Sequence, residues 1–251
     1  MRAPTYAPSA LRWTWNGREF VNQYGETMTE PRIERIGDAI LYLGDCYTLL
    51  AQIQADAVVT DPPYGIAYKL NMPSRLNTTG NLNNETVTGD DKPFDPAPFL
   101  TWPCVLFGAD HYAPRLSDGG TMHVWDKHCG RAANDSFSDA ELFWINKRTK
   151  RHVFRYLWKG IQQEGAGEKR YHPTAKPVEL MKFCIERVSP AETIFDPFMG
   201  SGTTGVACAA LGRKFVGVEI EPKYFAIACE RISAAYAQGR LQFSTTPRLP
   251  E

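Results

Sequence analysis

Short apolar runs alternate with segments of helical spacing along most of the chain. β-Branched and aromatic runs bounded by turn residues predict strands, and from Ala39 onward they occur at AILYL, DAVVT, CVLFGA, TMHVW, TIFD and KFVGVEI. Helices are predicted at CYTLLAQI, KPVELMKFCIERV, TTGVACAALG and PKYFAIACERISAAY. The segments AELFWIN and RHVFRYLWK alternate enough to be strands as well. This order predicts an α/β fold, with a mostly parallel sheet and helices on both faces.

The first 27 residues differ from the rest of the chain. Asn16-Gly17 lies between two aromatic or β-branched runs, which favours a hairpin with a two-residue turn. Met28 then begins the segment that leads into the first strand of the alternating pattern. We therefore expect residues 1–27 to be an N-terminal extension and residues 28–251 to be the main domain.

Composition excludes several classes of protein. The formal net charge is zero, so any nucleic-acid contact has to come from a local patch. No apolar run approaches the roughly 20 residues of a membrane span, and no signal peptide is recognisable, so a soluble cytoplasmic protein without membrane contact is expected. The six cysteines form no C-x-x-C pair, and His123, His128 and Cys129 lack a recurring ligand spacing. Free buried thiols and no metal site are predicted.

Two predicted strands end in an aspartate followed by proline. The first is followed by Asp61, Pro62, Pro63 and Tyr64, and the second ends in Asp196 before Pro197. Proline cannot donate to a sheet ladder, so each strand has to stop there. Both aspartates are therefore expected at strand ends, with Asp61 fixed by the Pro-Pro pair that follows it.

A glycine motif follows the second of these strands. Gly200, Gly202 and Gly205 form G-x-G-x-x-G between a strand and a helix, and Glu219 ends the next strand about 20 residues on. Such glycines let a ligand approach the backbone at the helix N-terminus, and the acid suits ribose hydroxyls. An adenosine-containing cofactor is predicted. The motif alone leaves NAD open, and also a turn needed only for helix–strand packing.

Taken together, DPPY, DPFMGSGTT and HPTAKPVELMKFCIERV resemble the amino-methylating DNA methyltransferases that use S-adenosylmethionine. The resemblance covers about residues 32–236, and DPPY preceding the glycine motif is typical of the permuted β group. GDDKPFDP, WDK, FRYLWKG and GEKRYHPTAKP are similar to short phage and prophage enzymes. The resemblance implies a Rossmann-like methyltransferase fold with permuted motif order and a catalytic domain over residues 28–251. It also implies double-stranded DNA as partner and a link to restriction–modification, and it leaves a homodimer open.

The resemblance gives the first aspartate a chemical role. An exocyclic amine is a poor nucleophile, and hydrogen bonds to Asp61 and to the Pro62 carbonyl free its lone pair for attack on the sulfonium methyl group. Pro62 and Pro63 fix these acceptors, and Tyr64 stacks on the base, which leaves the duplex at a cost of a few kcal/mol. Aspartate in first position favours the N6 amine of adenine. Methylation of cytosine N4 is the alternative reaction. A DNA-binding module that has lost catalysis is an alternative function of a different kind.

The resemblance also implies a cofactor site. The glycine motif wraps the methionine part with Phe198 nearby, Glu219 binds the ribose, and Asp45 accepts from the adenine amine. A segment with Ala175 where the family usually has glutamine contributes near the methionine carboxylate. The cofactor-binding residues expected are Asp45, Cys46, His172, Thr174, Lys176, Asp196, Phe198, Gly200, Ser201, Gly202, Thr203, Thr204 and Glu219.

A basic segment is the candidate for DNA contact. NKRTKRHVFRYLWKG carries six cations and no acid, which suits phosphate neutralisation, although a charge run can also be a solvated face. Residues 128–171 are the expected target-recognition segment, and the loop 65–95 is expected to close over the extruded base. The DNA-binding residues expected are Lys147, Arg148, Lys150, Arg151, Arg155 and Lys159.

Overall fold

The computed structural model describes residues 31–66, 88–130, 138–159, 162–163 and 175–244, with short N-terminal pieces at 13–15, 20–22, 25 and 27. The strands are β1 (Trp13–Trp15), β2 (Phe20–Asn22), β3 (Arg32–Ile36), β4 (Ala39–Leu43), β5 (Ala57–Thr60), β6 (Cys104–Phe107), β7 (Thr121–Asp126), β8 (Ala140–Ile145), β9 (Val153–Arg155), β10 (Trp158–Lys159), β11 (Gln162–Gln163), β12 (Thr193–Asp196) and β13 (Lys214–Glu219). The helices are α1 (Cys46–Leu49), α2 (Val178–Arg187), α3 (Thr203–Ala210) and α4 (Pro222–Ser244). Short 3-10 turns occur at Leu50–Gln52, Ala97–Phe99 and Ala113–Arg115.

The central sheet has nine strands in the order β3-β4-β13-β12-β5-β6-β8-β7-β9. β3 and β8 run antiparallel to their neighbours and the other strands are parallel to one another. The predicted Rossmann-like α/β class with permuted motif order is confirmed. Strand order reverses between β12 and β5, and ligands of such sheets bind outside the carboxyl ends at this switch point. We call the edge where the parallel strands end the carboxyl edge, and the opposite edge the amino edge.

Continuous apolar runs explain the middle of the sheet. Every residue of β5 and β6 is buried, as expected for strands covered on both faces. One face packs against α2, α3 and α4 through residues such as Leu180, Ala207 and Ile232. The other face packs against α1 and the 3-10 turns, with Phe99 and Tyr112 buried there. Helical segments therefore cover both faces as predicted, but the three longer helices share one of them.

Two local predictions differ from the structure near the N-terminus. β1 and β2 pair antiparallel with Trp15 opposite Phe20, so four residues separate the paired strands instead of the two-residue turn predicted at Asn16-Gly17. β3 was not predicted, because its sequence RIERI alternates charged and apolar residues at an exposed sheet edge. The boundary between extension and main domain at residue 28 stays a prediction.

Two strands of the expected target-recognition segment belong to the central sheet. β8 lies between β6 and β7, and β9 extends the sheet beyond β7. The remaining parts of residues 128–171 include 131–137, 160–161 and 164–171, which lie outside the described residues, as do residues 67–87 of the expected closing loop. Within the described part of the segment, β8 contributes Phe143, Trp144 and Ile145 to the buried core.

Several expectations about the class of protein can be compared with the described residues. Among them, no helix combines the length and apolar character needed to cross a bilayer. In the same part of the chain, no group of three His, Cys, Asp or Glu side chains is arranged to bind a metal ion. His123 accepts the His152 backbone N–H through Nδ1 over 3.1 Å, and His128 lies 3.1 Å from Asp139. Each imidazole thus has a partner inside the fold.

Candidate active site

Asp61 lies at the carboxyl edge, directly after β5. Pro62 and Pro63 end the strand there, because neither has an N–H to donate to the ladder. The Asp61 side chain is 19% exposed and has two close partners. The Tyr64 hydroxyl donates to Oδ1 over 2.5 Å, and Lys176 Nζ donates to Oδ2 over 2.6 Å. The acid of the DPPY motif is therefore held between a phenol and a cation.

Lys176 is part of a network of four charged side chains of alternating sign. Its side chain is only 6% exposed, and its Nζ lies 3.3 Å from Glu141 Oε2 as well as 2.6 Å from Asp61. Glu141 Oε1 in turn accepts from Lys127 Nζ over 3.0 Å. Burial opposes the charged form of Lys176, but Asp61 and Glu141 outweigh it and raise the pKa of the lysine. Lys176 was expected near a methionine carboxylate, and in the structure its ammonium group binds Asp61, the acid of the DPPY motif.

The neighbours of Lys176 position it. Pro177 precedes α2 in an extended conformation, so the lysine lies immediately before that helix. The Trp158 indole N–H donates to the Ala175 carbonyl over 2.9 Å, which fixes the preceding residue. His172 and Thr174, predicted beside Lys176 in the cofactor site, lie outside the described residues.

Tyr64 is fixed on both sides of its ring. The ring stacks on His111 with centroids 4.9 Å apart, and it also contacts Gly108, where a Cβ would lie 2.1 Å from the ring. Gly108 has φ +64°, a conformation that side chains rarely adopt. Burial and the neighbouring Asp61 raise the pKa of Tyr64, so the phenol stays a hydrogen-bond donor. The expected stacking of Tyr64 on a base stays a prediction, and His111 occupies a stacking position against the ring in this structure.

Asp196 joins the two motifs. Its Oδ1 accepts from the Thr60 hydroxyl over 2.7 Å and from the Phe198 N–H over 3.1 Å, and its Oδ2 accepts from the Thr204 hydroxyl over 2.5 Å. Burial raises the pKa of this carboxyl to about 6. Asp196 was expected to bind cofactor. In the structure its oxygens connect β5, β12 and α3, and a contact with the cofactor stays a prediction.

The glycine motif forms the turn into α3. Gly202 precedes the helix with φ +81°, and a Cβ there would lie 2.9 Å from the Ala228 side chain, so glycine is required twice over. Arg231 of α4 donates to the Ser201 carbonyl over 2.7 Å and lies 3.0 Å and 3.1 Å from the Ser201 and Thr203 hydroxyls. The turn is therefore held in place by hydrogen bonds from α4.

Glu219 lies at the end of β13 and faces this turn. Its Oε2 accepts the Gly200 N–H over 2.8 Å, and its Oε1 accepts the Glu221 N–H over 2.8 Å. Burial raises the pKa of Glu219 to about 7. A carboxylate has about four lone-pair directions, so two backbone donors leave acceptor capacity for hydroxyl groups.

The end of β4 completes this side of the carboxyl edge. The Gly44 N–H donates to the Glu219 carbonyl over 2.9 Å, which brings the following Asp45 and Cys46 beside β13. Asp45 caps α1 by accepting the Tyr47 N–H over 2.9 Å, and burial raises the pKa of the Cys46 thiol. Phe198 packs in an aromatic cluster with Tyr47, Phe94 and Phe99. The acids, the glycine turn and the apolar ring surface fit an adenosine-containing ligand, as the sequence predicts.

The predicted DNA-binding residues do not lie together. β8 runs antiparallel, so its last residue, Ile145, pairs with Val105 and Thr121 near the starts of β6 and β7. The exposed Lys147, Arg148, Lys150 and Arg151 that follow β8 are therefore at the amino edge, away from Asp61. Arg155 pairs with Asp126 at the end of β7, which places it at the carboxyl edge, 66% exposed. The side chain of Lys159 lies outside the described residues.

Sequence reasoning missed four residues that shape the site. Glu141, His111 and Arg231 contact predicted site residues, and Lys127 contacts Glu141. The one signal for Glu141 is an acid near the start of an otherwise apolar strand, and Lys127 follows a strand end. The pairing of β8 with β7 brings Glu141 beside Lys127, and Glu141 in turn contacts Lys176. That pairing cannot be read from either segment alone.

Comparisons with known proteins agree with this arrangement. Residues 118–230 match the family model described as DNA methylase, of the N6/N4 type. The chain is 34% identical over 127 residues to the type II methyltransferase M2.LlaDCHI of Lactococcus lactis subsp. cremoris, covering 41% of this chain and 45% of the relative. It is 34% identical over 122 residues to M2.DpnII of Streptococcus pneumoniae, covering 39% and 43%. The chain thus spans less than half the length of these curated relatives.

Solved structures of similar proteins were also found. The M1.HpyAVI–SAM complex has a TM-score of 0.49 and 24% identity, covering 76% of this chain and 98% of that one. The cytosine-N4-specific PvuII DNA methyltransferase has a TM-score of 0.49 and 14% identity, covering 81% and 93%.

The part of the chain that the family model matches contains β7 to β13, including Glu141, the glycine motif and Glu219. Residues 118–230 are thus similar to the DNA methylases of the N6/N4 type.

Proposed function

We propose that the protein is a DNA methyltransferase that transfers a methyl group from S-adenosylmethionine to the N6 amine of adenine in double-stranded DNA. The observation that carries the proposal is the junction at the switch point. Asp61 follows β5, the glycine motif follows β12, and Asp196 hydrogen-bonds both Thr60 and Thr204 across it. A methyl acceptor at Asp61 and a cofactor at the glycine turn would thereby be neighbours.

Asp61 and Pro62 supply the acceptors for the target amine. The carboxylate accepts one amine proton and the Pro62 carbonyl a second, which localises the nitrogen lone pair for attack. The prolines fix the backbone, so the acceptors need no rearrangement when the base arrives. The extruded base would enter beside Tyr64, with stacking offsetting part of the unpairing cost of a few kcal/mol.

The cofactor would lie along the carboxyl ends of β4, β13 and β12. Glu219 would accept from its ribose hydroxyls, Asp45 from its adenine amine, and Phe198 would pack against it. Gly200 to Thr204 would surround its amino-acid part, and Cys46 would line the pocket. When bound, S-adenosylmethionine supplies an activated methyl group on a sulfonium, a good leaving group.

The choice of adenine rests on the aspartate at position 61, which in the resembling family favours adenine over cytosine. Cytosine N4 presents the same kind of amine to the same acceptors, so the product has to be identified directly. DNA contact at the carboxyl edge would involve Arg155, whose guanidinium is exposed there.

The test is methyl transfer from labelled S-adenosylmethionine to unmethylated genomic DNA, followed by nucleoside digestion and mass spectrometry. N6-methyladenine is expected from the wild-type protein. Asp61→Asn keeps the size of the side chain but removes a charged acceptor, so the rate should fall about 100-fold or more. Asp118→Asn, at an exposed loop aspartate, is the matched control and should keep the wild-type rate. N4-methylcytosine would overturn the choice of base, and no product despite cofactor binding would overturn the proposal.

A further inference from the structure

Both oxygens of Asp61 already have partners in the structure. Tyr64 donates to Oδ1, and Lys176 donates to Oδ2 over 2.6 Å. The proposed reaction needs the carboxylate to accept a hydrogen bond from the target amine. Both bonds are charge-assisted through the carboxylate, and the bond from Lys176 also pairs two opposite charges. A target amine that takes the lone pair of Oδ2 now used by the ammonium group displaces Lys176 from it.

Glu141 offers the lysine a second acceptor. Its Oε2 is buried and has no hydrogen-bond partner among the described residues, although it lies 3.3 Å from Lys176 Nζ. A buried carboxylate oxygen without a hydrogen bond is unusual and calls for an explanation. Its other oxygen, Oε1, accepts from Lys127 over 3.0 Å, which anchors the carboxylate from the far side.

We propose that Lys176 exchanges partners when the target base binds: its hydrogen bond moves from Asp61 Oδ2 to Glu141 Oε2, and the base amine takes its place on Asp61. Glu141 is then a positioning residue that acts through Lys176. The inference rests on the proposed function, because it assumes that Asp61 receives the target amine.

Geometry makes the exchange a small movement. A charge-assisted N–H···O bond has a length of about 2.8 Å, so Nζ has to move by roughly half an ångström toward Oε2. Without Glu141, release from Asp61 would leave a buried ammonium unpaired, which is strongly unfavourable. Burial opposes the ionised form of Glu141, but Lys176 and Lys127 outweigh it and lower the pKa of the carboxyl. The acceptor is therefore charged and ready in the absence of DNA.

The exchange also keeps the charge of the site constant. Asp61 and Glu141 are balanced by Lys176 and Lys127 before and after the hydrogen bond moves. No proton has to enter or leave the buried cluster as the base binds. The exchange itself makes or breaks no covalent bond.

The first test is Glu141→Gln, which keeps the size of the side chain and removes its charge. We expect single-turnover methyl transfer, with bound S-adenosylmethionine and saturating DNA, to slow by about tenfold or more. The dissociation constant for S-adenosylmethionine should stay within about twofold, since that site is built from other strands. Glu179→Gln, at an exposed carboxylate paired with Lys182 on α2, is the matched control and should keep the wild-type rate.

A double-mutant cycle separates this role from a general loss of structure. In a Lys176→Met background, Glu141→Gln should cause no further slowing, because Glu141 acts only through the lysine. Glu141→Asp retains the charge and should recover part of the rate, a readout that does not depend on the Lys176 variant. A Glu141→Gln rate within twofold of wild type, or additive losses in the cycle, would overturn the exchange. A wild-type protein that binds cofactor but transfers no methyl group overturns the proposed function instead, and the exchange with it.

Discussion

Thr60 donates a hydrogen bond to Asp196 over 2.7 Å, from the last residue of β5 to the last residue of β12. Thr60 precedes the acid of the DPPY motif, and Asp196 also accepts from Thr204 at the start of α3. One buried carboxylate thus sets the distance between the strand that carries Asp61 and the turn of the glycine motif. In the proposed reaction the target base and the cofactor lie on the two sides of this junction. Their alignment therefore depends on the rigidity of the junction.

Removal of this hydrogen bond should destabilise the protein. Thr60→Val keeps the shape of the side chain but deprives buried Asp196 of one donor, at an expected cost of about 1–3 kcal/mol in the free energy of unfolding. Urea unfolding measures it. Thr101→Val, at an exposed threonine, is the control and should change stability by less than about 0.5 kcal/mol. Equal effects of the two substitutions would contradict a special role for Thr60.

Gly108 should tolerate no side chain. Gly108→Ala would place a Cβ 2.1 Å from the Tyr64 ring at a residue with φ +64°, so the ring has to move away from Asp61. We expect a loss of about 1–3 kcal/mol in stability, together with slower methyl transfer.

Gly119→Ala provides the comparison for Gly108. No heavy atom lies within 4 Å of a Cβ built at Gly119, so alanine there should be neutral or slightly stabilising. Thermal unfolding and transfer rates of both variants check the prediction. Normal activity of Gly108→Ala would show that the position of Tyr64 is unimportant.

Glu219 should make stability depend on pH near neutrality. Burial raises its pKa from 4.5 to about 7, so between these values the folded protein binds the proton more tightly than the unfolded chain does. The free energy of unfolding should therefore fall as pH rises from 4.5 to 7, by on the order of 3 kcal/mol, and should level off above that.

The Glu219→Gln variant isolates this contribution. Its stability should decline less steeply between pH 4.5 and pH 6, where the contribution of Asp196 with its pKa of about 6 remains, and should no longer decline from pH 6 to pH 7. Urea unfolding at a series of pH values gives both curves. Parallel curves for the variant and the wild-type protein would mean that Glu219 titrates normally.

The exposed cations of the basic segment at the amino edge should not contribute to DNA binding, whereas Arg155 at the carboxyl edge should. Six residues of β7 span about 17 Å, which separates the amino edge from Asp61. The Arg148→Ala/Arg151→Ala double variant should therefore keep the wild-type DNA affinity within about twofold. Arg155→Ala should reduce the salt dependence of binding by about one counterion. Binding assays across a salt series measure both, and a large loss in the double variant would place DNA at the amino edge.

Sequence alone predicted those parts that are encoded locally. Apolar runs identify β5, β6 and β12 because strands covered on both faces are continuously hydrophobic. The acids at strand ends, Asp61 and Glu219, follow from the same pattern, because parallel strands bring their carboxyl ends to one edge. The DPPY and glycine motifs added the prediction that a target base and a cofactor bind at that edge.

The remaining features depend on how distant segments pair. Glu141 reaches Lys176 only because β8 runs antiparallel between β6 and β7. Because β8 ends at the amino edge and β9 runs back, the basic segment is split: Lys147 to Arg151 lie at the amino edge and Arg155 lies at the carboxyl edge. Periodicity predicts that a segment is a strand, but its direction and neighbours are set by packing across the whole domain.

The strand order has a consequence for synthesis of the protein. β13 is the only described strand that pairs with both β4 and β12, and Lys214–Glu219 emerges from the ribosome long after β4. A nascent chain that stalls before Lys214 carries Asp61 but lacks Glu219 and the strand that joins β4 to the rest of the sheet. Because the last-made of these strands completes the carboxyl edge, the predicted cofactor site can form only after β13 has been synthesised.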